Sequence, residues 1–559
     1  SMLRTDLGNE SEYGFGVMGS VTNIPRGHQL SILLSSSPRI GPDGIRNAFT
    51  KWGEKLQRLH HTKRPSDTTL EYLQYSTDNG AYYYYHTEQN LTYQDTMIAI
   101  KEYVDSVSLP IQNWLMDSWW YYKGVNGGVA NWSARPNIFP DGISYVRNRT
   151  KWDIVAHNRY WASDNVYAKQ NGGIYDFIIE GDLALPQQEA FWNQLFQDAK
   201  LSWGLKVYEQ DWLNVQTQRM NVTLETVDIT RMWLLQMGHA AKRNGITIQY
   251  CMSWPRHMLQ SLEIDAVTQA RASGDYQPSN DVNWKGVGIS SLWSLGLGVT
   301  PLKDNFWSSN VSQPHSKYGN VSESASRLHA IIASYSTGSV APSDRMESLN
   351  TKLVMRSCAQ DGKLLRPDIP AARTDITILA EAGLPVSSQQ QRQVWSTVAR
   401  LSGYSYTYLL SADSPAFTIT EQDLYPSSNN INGYVIWELD APFAPKSLPH
   451  LVPTSSKSDA HVYAIAPIFQ NNWSFLGEAE TKWTSVSQDR FSQLQVDSTQ
   501  GFFVSLTGAP GETVKMVIRN PSNKFVRINC TIPVSGTTRF YSQTMQCSPF
   551  KVHPSRFAY

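Results

Sequence analysis

This chain of 559 residues has no excess of charge and no long apolar run. Lys and Arg together number 48, and so do Asp and Glu, which gives a formal net charge of zero. Nucleic acid is therefore not an expected partner, because binding its phosphates needs concentrated positive charge. No uninterrupted apolar stretch approaches the roughly 20 residues of a spanning helix, so no membrane span is expected.

Sequence signals for metal sites and for serine hydrolases are also missing. No CxxC motif or His/Cys cluster indicates a metal site, and no G-x-S-x-G elbow indicates a nucleophilic serine. The sequence predicts neither a metal nor an organic cofactor.

Cysteine is scarce, with four residues in the chain. Cys530 and Cys547 flank a predicted hairpin and could pair, whereas Cys251 and Cys358 would have to meet across the fold, which spacing cannot decide. Nine N-x-S/T sequons favour a secreted or lumenal glycoprotein. A signal peptide is not seen, as expected if a leader has been removed. The sequons lie at Asn9, Asn90, Asn131, Asn148, Asn221, Asn310, Asn320, Asn472 and Asn529.

Aromatic residues are plentiful: 19 Trp, 28 Tyr and 18 Phe. Any one of them could serve only core packing. Many, however, stand beside acids or amides, as in "DSWWYYKG" and "DNFWSSN". A sugar ring offers an apolar face for stacking and hydroxyls for polar partners, so this recurring pattern favours a carbohydrate-binding protein.

The order of predicted elements favours a (β/α)8 TIM barrel, an α/β fold. Strand-like segments lie at 110–120, 152–161, 174–182, 203–212, 245–254, 287–296, 329–339 and 362–370. Amphipathic helices are predicted at 92–106, 186–202 and 224–243. We expect an N-terminal β-rich region over 1–90, the barrel over 91–432, and a C-terminal antiparallel β-sandwich over 433–559.

Acidic, basic and aromatic side chains follow the predicted strands. In a barrel, the ends of the strands form the active-site rim. Glu180 and Asp182 could instead cap a helix, and Arg345 and Arg366 could only support neighbouring acids. The candidate sugar-binding residues are Asp117, Trp119, Trp120, His157, Arg159, Lys206, Trp254, Arg256, Trp307, Asp344 and Arg345.

Retaining cleavage of a glycosidic bond needs two carboxyl groups about 5–5.5 Å apart, one ionised and one protonated. Asp211 follows the predicted fourth strand and Asp304 the predicted sixth, on facing sides of the rim. Glu209 would point the same way as Asp211, because side chains alternate along a strand. It remains an alternative nucleophile.

Three stretches resemble the α-galactosidase and raffinose-synthase glycoside hydrolases, family 36, with family 31 as its relative. These are "STDNGAYYYY" (76–85), "LMDSWWYYKG" (115–124) and "KDNFWSSN" (303–310). The resemblance implies a barrel with flanking β-domains, Asp304 as general acid/base, Asp117 as a sugar ligand and Asp211 as nucleophile. "KVYEQDWLN" departs from the family's fourth-strand motif, whose lysine Lys206 could represent.

The leading hypothesis is a secreted retaining α-glycosidase, α-galactosidase-like, that acts on terminal sugars of an oligosaccharide or glycan. Two alternatives remain open. A raffinose-synthase-like protein would pass the sugar to another sugar, and an inactive relative would only bind carbohydrate.

Overall fold

The computed structural model describes residues 2–7, 10–36, 44–84, 86–279, 285–383, 392–497 and 501–548. Its centre is a parallel sheet that curls into a barrel. In chain order, the first seven barrel strands are Gln74–Ser76, Asn113–Met116, Asp153–Asn158, Leu205–Gln210, Thr247–Tyr250, Val267–Arg271 and Thr300–Leu302.

Segment 340–343 closes the barrel as its eighth strand. Gln74 and Ser76 of the first strand donate backbone hydrogen bonds to the carbonyls of Val340 and Pro342, both at 3.1 Å. On the other side, Phe306 beyond the seventh strand forms a parallel bridge with Pro342. The predicted (β/α)8 barrel is therefore confirmed.

Helices surround the barrel as predicted. The helix Glu189–Trp203, predicted over 186–202, buries Phe191, Leu195, Phe196 and Ala199 on one face. Gly204 ends it in the left-handed conformation that glycine adopts at low cost. The other helices that follow barrel strands are Tyr93–Ser106, Ile143–Thr150, Leu213–Gln218, Asn221–Glu225, Ile229–Asn244, Pro255–Gln260, Lys285–Leu297, Ser326–Tyr335 and Thr351–Val354.

Several predicted strands are wrong. The segments 287–296 and 329–339 lie largely in helices, and 362–370 contains no strand. The true sixth strand, Val267–Arg271, was missed because its sequence VTQAR has few apolar residues.

Glycine explains the mistaken strand at 287–296. A Cβ added at Gly53 of the helix Gly44–His60 would lie 1.7 Å from the carbonyl oxygen of Gly296. The two helices thus cross at a glycine–glycine contact. Glycine serves close helix packing here, although in sequence it lowers the helical signal.

The predicted strand at 174–182 belongs to an accessory antiparallel-rich sheet inserted between barrel elements. Its strands are Tyr122–Lys123, Val129–Asn131, Trp161–Ala162, Leu183–Pro186 and Phe177–Glu180. Because the strand Gln74–Ser76 was also missed, the two errors cancel, and Asp211 does follow the fourth barrel strand. The expectation that Asp304 follows the sixth strand is wrong, because Asp304 follows the seventh, Thr300–Leu302.

Two expected boundaries need correction. The first barrel strand, Gln74–Ser76, lies inside the expected N-terminal region 1–90, whose other described strands form the hairpin Met2–Leu7 and Glu10–Phe15. Residues 16–36 form no strand. The C-terminal sheets begin at Ala372, well before 433.

The predicted C-terminal antiparallel β-sandwich is confirmed. Its largest sheet joins Ala372–Arg373, Val394–Leu401, Tyr404–Ser411, His461–Phe469 and Ile431–Glu438. Smaller sheets comprise Ser474–Gly477, Thr513–Arg519 and Phe525–Thr531; Phe491–Asp497, Gly501–Thr507, Thr537–Tyr541 and Gln546–Ser548; and Phe417–Ile419 with His450–Val452. A single hydrophobic core runs from the barrel into this region.

The expected pair Cys530 and Cys547 forms a disulfide. Cys251 and Cys358 are buried free thiols, so they do not meet across the fold. Among the described residues, no helix has both the length and the apolar character needed to cross a membrane.

Candidate active site

A polar pocket of about 330 Å³ opens at the carboxyl ends of the barrel strands. This is the end of a (β/α)8 barrel that carries active sites. The pocket is lined by Asp78, Asn79, Tyr83, Asp117, Ser118, His157, Arg159, Glu209, Asp211, Trp212, Asn214, Val215, Met252, Arg271, Asp275 and Lys317.

On one side of the pocket, His157 lies between two carboxylates. Its Nε2 is 3.1 Å from Oδ2 of Asp211 and 3.7 Å from Oδ2 of Asp117. The hydroxyl of Tyr121 lies 3.1 Å from Nδ1 and fixes the ring. Burial alone would lower the pKa of His157, but Asp117 and Asp211 raise it above its ordinary value. We name these residues the histidine side of the pocket.

Asp211 is held as a carboxylate. Its Oδ1 accepts a hydrogen bond from the backbone N–H of Trp212 at 2.6 Å, while Oδ2 contacts His157. Burial alone would raise the pKa of Asp211, but the hydrogen bond and charge of His157 bring it below the ordinary value. Trp212 adopts a left-handed backbone conformation (φ 62°), and Arg159 lies 4.4 Å from the centre of its ring.

Glu209 lies two residues before Asp211 on the same strand and is 3% exposed. Oε1 of Glu209 accepts a hydrogen bond from Nε2 of Gln249 at 2.9 Å. Burial raises the pKa of Glu209 to about 7, with Asp211 adding to the rise and His157 opposing it. Below about pH 7, Glu209 is therefore mainly protonated, whereas the lowered pKa of Asp211 favours its carboxylate.

On the other side of the pocket, Arg271 joins three carboxylates. Its guanidinium is 2.8 Å from Asp304 and 3.5 Å from Asp78, and it also pairs with Asp275. The Arg271 side chain is 4% exposed. Burial raises the pKa of Asp78 well above its ordinary value, and Asp117 adds to the rise. We name these residues the arginine side.

Asp304 and Asp275 differ in their access to the pocket. Asp304 does not line it; its Oδ1 contacts Arg271 and its Oδ2 accepts the backbone N–H of Tyr276 at 2.5 Å. Its side chain is 7% exposed. The Asp275 side chain lines the pocket and is 41% exposed. Asp304 thus lies behind Arg271, next to the segment that carries Asp275.

Five of the residues predicted from sequence line the pocket: Asp117, His157, Arg159, Glu209 and Asp211. The predicted tryptophans at 119, 120 and 307 do not line it and are fully buried. Trp119 stacks on Tyr93 with ring centres 3.8 Å apart. The simple core-packing interpretation applies to these three rings.

Charged residues predicted as ligands also lie elsewhere. Lys206 is exposed and outside the lining, since it precedes the buried Val207 on the fourth strand and points to the other face. Asp344 is fully buried and accepts backbone N–H groups of Ser308 and Ser309. Arg345 pairs with Glu88, which satisfies the supporting role left open for it.

Trp254 and Arg256 stand at the start of the helix Pro255–Gln260 and do not line the pocket. Trp254 instead donates its backbone N–H to Nδ1 of His257 at 2.9 Å. This hydrogen bond caps the N-terminus of the helix, so Trp254 has a structural role outside the pocket.

Sequence reasoning missed Asp78, Arg271 and Asp275. Asp78 stands in "STDNG", directly after the first strand, and had been noted only as part of a family-like stretch. Arg271 and Asp275 stand in "RASGDY", after the overlooked sixth strand. An acid in a polar, glycine-containing turn was the available signal.

The carboxyl groups of this pocket contact two cationic side chains, His157 on one side and Arg271 on the other. Within the part of the chain that the structure describes, no group of three or more His, Cys, Asp or Glu residues is arranged to hold a metal ion. The pKa of Asp211 is lowered and those of Asp78 and Glu209 are raised, so one pocket contains carboxyl groups that favour the ionised form and others that favour the protonated form. Acid–base and nucleophilic catalysis use such groups.

Neither a protein-family model nor a curated protein matches the sequence. Solved structures that it resembles include alpha-galactosidase I from Mortierella vinacea, at 13% identity, with a TM-score of 0.43 over 71% of this chain and 97% of that one.

A GH36 alpha-galactosidase from Geobacillus stearothermophilus, solved with 1-deoxygalactonojirimycin, is 10% identical, with a TM-score of 0.48 over 76% of this chain and 59% of that one. Trehalose-6-phosphate hydrolase from Bacillus licheniformis is also 10% identical, with a TM-score of 0.42 over 72% of this chain and 100% of that one. These TM-scores below 0.5 describe a loose likeness and assign neither a substrate nor a catalytic residue to this chain.

Proposed function

We propose that this chain is a retaining glycosidase that releases a terminal sugar, with α-galactosides as the first substrates to test. One observation carries the proposal: a buried, ionised Asp211 and a half-exposed Asp275 line the same pocket. Retaining glycosidases need such a pair, one carboxylate as nucleophile and one carboxyl group as acid and base.

In the first half of the reaction, an oxygen of Asp211 bonds to the anomeric carbon. The glycosidic C–O bond breaks, and the leaving oxygen takes the proton of Asp275. In the second half, Asp275 takes a proton from water, the water oxygen bonds to the anomeric carbon, and Asp211 leaves as a carboxylate. His157 supports the first half because its hydrogen bond favours the ionised form of Asp211.

Asp275 is our candidate for the acid/base role that the family resemblance gave to Asp304. Both oxygens of Asp304 are occupied, one by Arg271 and one by the Tyr276 N–H. The low exposure of Asp304 also separates it from a leaving group, whereas the Asp275 side chain is 41% exposed and lines the pocket. In this proposal Asp304 is a positioning residue for Arg271 and for segment 273–276.

The choice of an α-galactoside rests on the resemblance of "STDNGAYYYY" and "LMDSWWYYKG", whose Asp78 and Asp117 line the pocket. Transfer to a second sugar is the other candidate reaction. Trp212, Val215 and Met252 support it, because they give the lining an apolar surface on which the face of an acceptor ring could stack. A protein that only binds sugar is the less favoured alternative, since the pocket holds a candidate for each carboxyl role, Asp211 and Asp275.

We further propose that the protein is secreted or lumenal and carries N-linked glycans. The Cys530–Cys547 disulfide supports an oxidising compartment. Of the predicted acceptors, Asn90, Asn148, Asn221, Asn310, Asn320, Asn472 and Asn529 are exposed. Asn131 is half-buried and accepts a hydrogen bond from Tyr167, and Asn9 lies outside the described residues.

The test is hydrolysis of chromogenic α- and β-glycosides by the wild-type protein and by Asp211→Asn, Asp275→Asn and Asp304→Asn. We expect Asp211→Asn to lose activity by about 10⁴-fold or more. Asp275→Asn should lose about 10²–10⁴-fold on sugars with poor leaving groups and far less on nitrophenyl glycosides, which need little protonation. Asp304→Asn should lower the activity on sugars with poor leaving groups and on nitrophenyl glycosides by the same factor.

Leaving-group dependence in Asp304→Asn instead of Asp275→Asn would return the acid role to Asp304. The anomer first formed by the wild type, followed by NMR, should have the configuration of the substrate. Glycoside-to-sugar transfer in the presence of added mono- and disaccharides would identify the transferase. An inactive wild type under all these conditions contradicts the proposed function.

A further inference from the structure

Glu209 differs from the other carboxyl groups of the pocket. Asp211 contacts His157, and Asp275 pairs with Arg271, but among the described residues no cation lies within ion-pair distance of Glu209. Its Oε1 accepts the amide N–H of Gln249, and its Oε2 reaches no partner within the described part of the chain. Glu209 lines the pocket, and its unpaired Oε2 is shielded from solvent.

A buried carboxylate without a paired cation is costly, and such a group takes up a proton. The charged groups that face Glu209 oppose one another: Asp211 and Asp117 favour the proton, whereas His157 and Arg271 disfavour it. The Cys251 thiol of the adjacent fifth-strand end lies near this group as well. The balance, with burial as the largest contribution, raises the pKa of Glu209 to about 7.

We propose that Glu209 acts as a neutral carboxylic acid and donates its Oε2 proton to an oxygen of the bound sugar. This inference rests on the proposed glycosidase function. The contact with Gln249 makes Oε1 the acceptor oxygen of the group, so that Oε2–H remains as the donor. A carboxyl group that burial keeps protonated near neutral pH can serve as a donor in this way.

The proposal gives the two acids of the fourth strand different tasks. Asp211 is held as a carboxylate by His157, and Glu209 binds substrate in its protonated form. When Glu209 loses its proton it offers only acceptor lone pairs, so substrate binding weakens as the pH rises above about 7. Glutamine supplies an N–H donor at nearly the same position and does not titrate.

The experiment compares kcat and KM of the wild type, Glu209→Gln and Glu209→Met from about pH 5 to about pH 9. The control is Glu480→Gln, a change in an exposed side chain of the C-terminal region. We expect the wild-type KM to rise about tenfold per pH unit above the Glu209 pKa. Glu209→Gln should lack this rise, and Glu209→Met should bind about 10- to 100-fold more weakly at every pH.

Loss of kcat in Glu209→Gln, as large as in Asp211→Asn, would make Glu209 the nucleophile and overturn the proposal. A wild-type pH profile in Glu209→Gln would also overturn it, because it would leave Glu209 a structural role.

Infrared difference spectra of wild type minus Glu209→Gln give a readout that does not need turnover. We expect a protonated-carboxyl C=O band that disappears as the pH is raised through about 7. Absence of the band would refute the proposal even if the protein is a glycosidase. Hydrolysis missing from every protein, wild type included, would instead count against the proposed function, and the band would still decide the protonation of Glu209.

Discussion

On each side of the pocket, one buried cation lies among several carboxyl groups. The cation is a histidine on one side and an arginine on the other. His157 lies among Asp117, Asp211 and Glu209, and Arg271 joins Asp78, Asp275 and Asp304. Each cation is almost fully buried. Arginine stays protonated in proteins, whereas histidine can lose its proton near neutral pH. The cation of the arginine side thus keeps its charge at all these pH values, whereas the cation of the histidine side can lose its charge.

The difference matters for the proposed reaction. The proposed nucleophile, Asp211, lies on the histidine side, next to Glu209, whose pKa is raised to about 7. The acid/base candidate lies on the arginine side, where Arg271 contacts both Asp275 and Asp304 and keeps its positive charge. Removing either cation should therefore have distinct consequences.

The largest effect is expected from Arg271→Met. Loss of the guanidinium would leave Asp78 and Asp304 buried without the cation that pairs with them, and breaking a buried pair in this way costs about 3–5 kcal/mol in the free energy of unfolding. Denaturant unfolding of purified protein measures this cost. Asp78→Asn and Asp304→Asn added to Arg271→Met should recover part of it; no recovery would contradict the buried-charge explanation.

Glu209→Gln should change the pH dependence of stability. The folded pKa of Glu209, about 7, lies above its ordinary value of 4.5, so folding takes up a proton between these values and the wild type loses stability as pH rises from about 4.5 to about 7. The variant lacks this loss, which corresponds to as much as about 3 kcal/mol. Thermal unfolding of both proteins across this range checks the difference, and parallel curves would speak against a protonated Glu209.

His157→Gln should shift the acidic side of the activity profile. Without the imidazolium, burial would raise the pKa of Asp211. As the pH is lowered, kcat/KM of the variant should therefore begin to fall at a higher pH than kcat/KM of the wild type. At the pH optimum we expect a loss of about 10- to 100-fold, from a lost charge-assisted hydrogen bond of about 1.5–3 kcal/mol.

The same variant also tests stability. The folded pKa of His157 is raised, so its contribution is present at low pH and is lost as pH rises through that pKa. His157→Gln should lack this decline above neutral pH. Tyr121→Phe, which only frees Nδ1, is the milder comparison. An unshifted acid limb in His157→Gln would show that the histidine does not control Asp211.

The smallest effect is expected from Lys206→Ala. The side chain is exposed on the outer face of the fourth strand and does not line the pocket. Stability should change by no more than about 0.5 kcal/mol, and kcat/KM should stay near the wild-type value. A large rise in KM would contradict the outward orientation of Lys206 and restore the sugar-binding role expected from sequence.

Much of the fold could be predicted because its signals are local. The spacing of apolar residues predicts the helix Glu189–Trp203, and the flanking strands indicate the Cys530–Cys547 pair. The sixth strand could not be recognised, since a buried barrel strand such as VTQAR needs no alternating pattern when its polar residues are paired inside the fold. The helix Lys285–Leu297 was not recognised because its glycines lower helix propensity. One of them, Gly296, permits close contact with Gly53 of a helix that is distant in the chain.

The sequence by itself determined that acids and aromatics follow the strands of a barrel, and it brought Asp117, His157 and Asp211 into consideration. Only the tertiary structure decided which acids share the pocket and which cation holds each. His157 and Asp211 are 54 residues apart in the chain, and Arg271 and Asp78 are 193 apart. Exposure and charge pairing are properties of the closed barrel, because they arise only when distant strand ends meet at one rim.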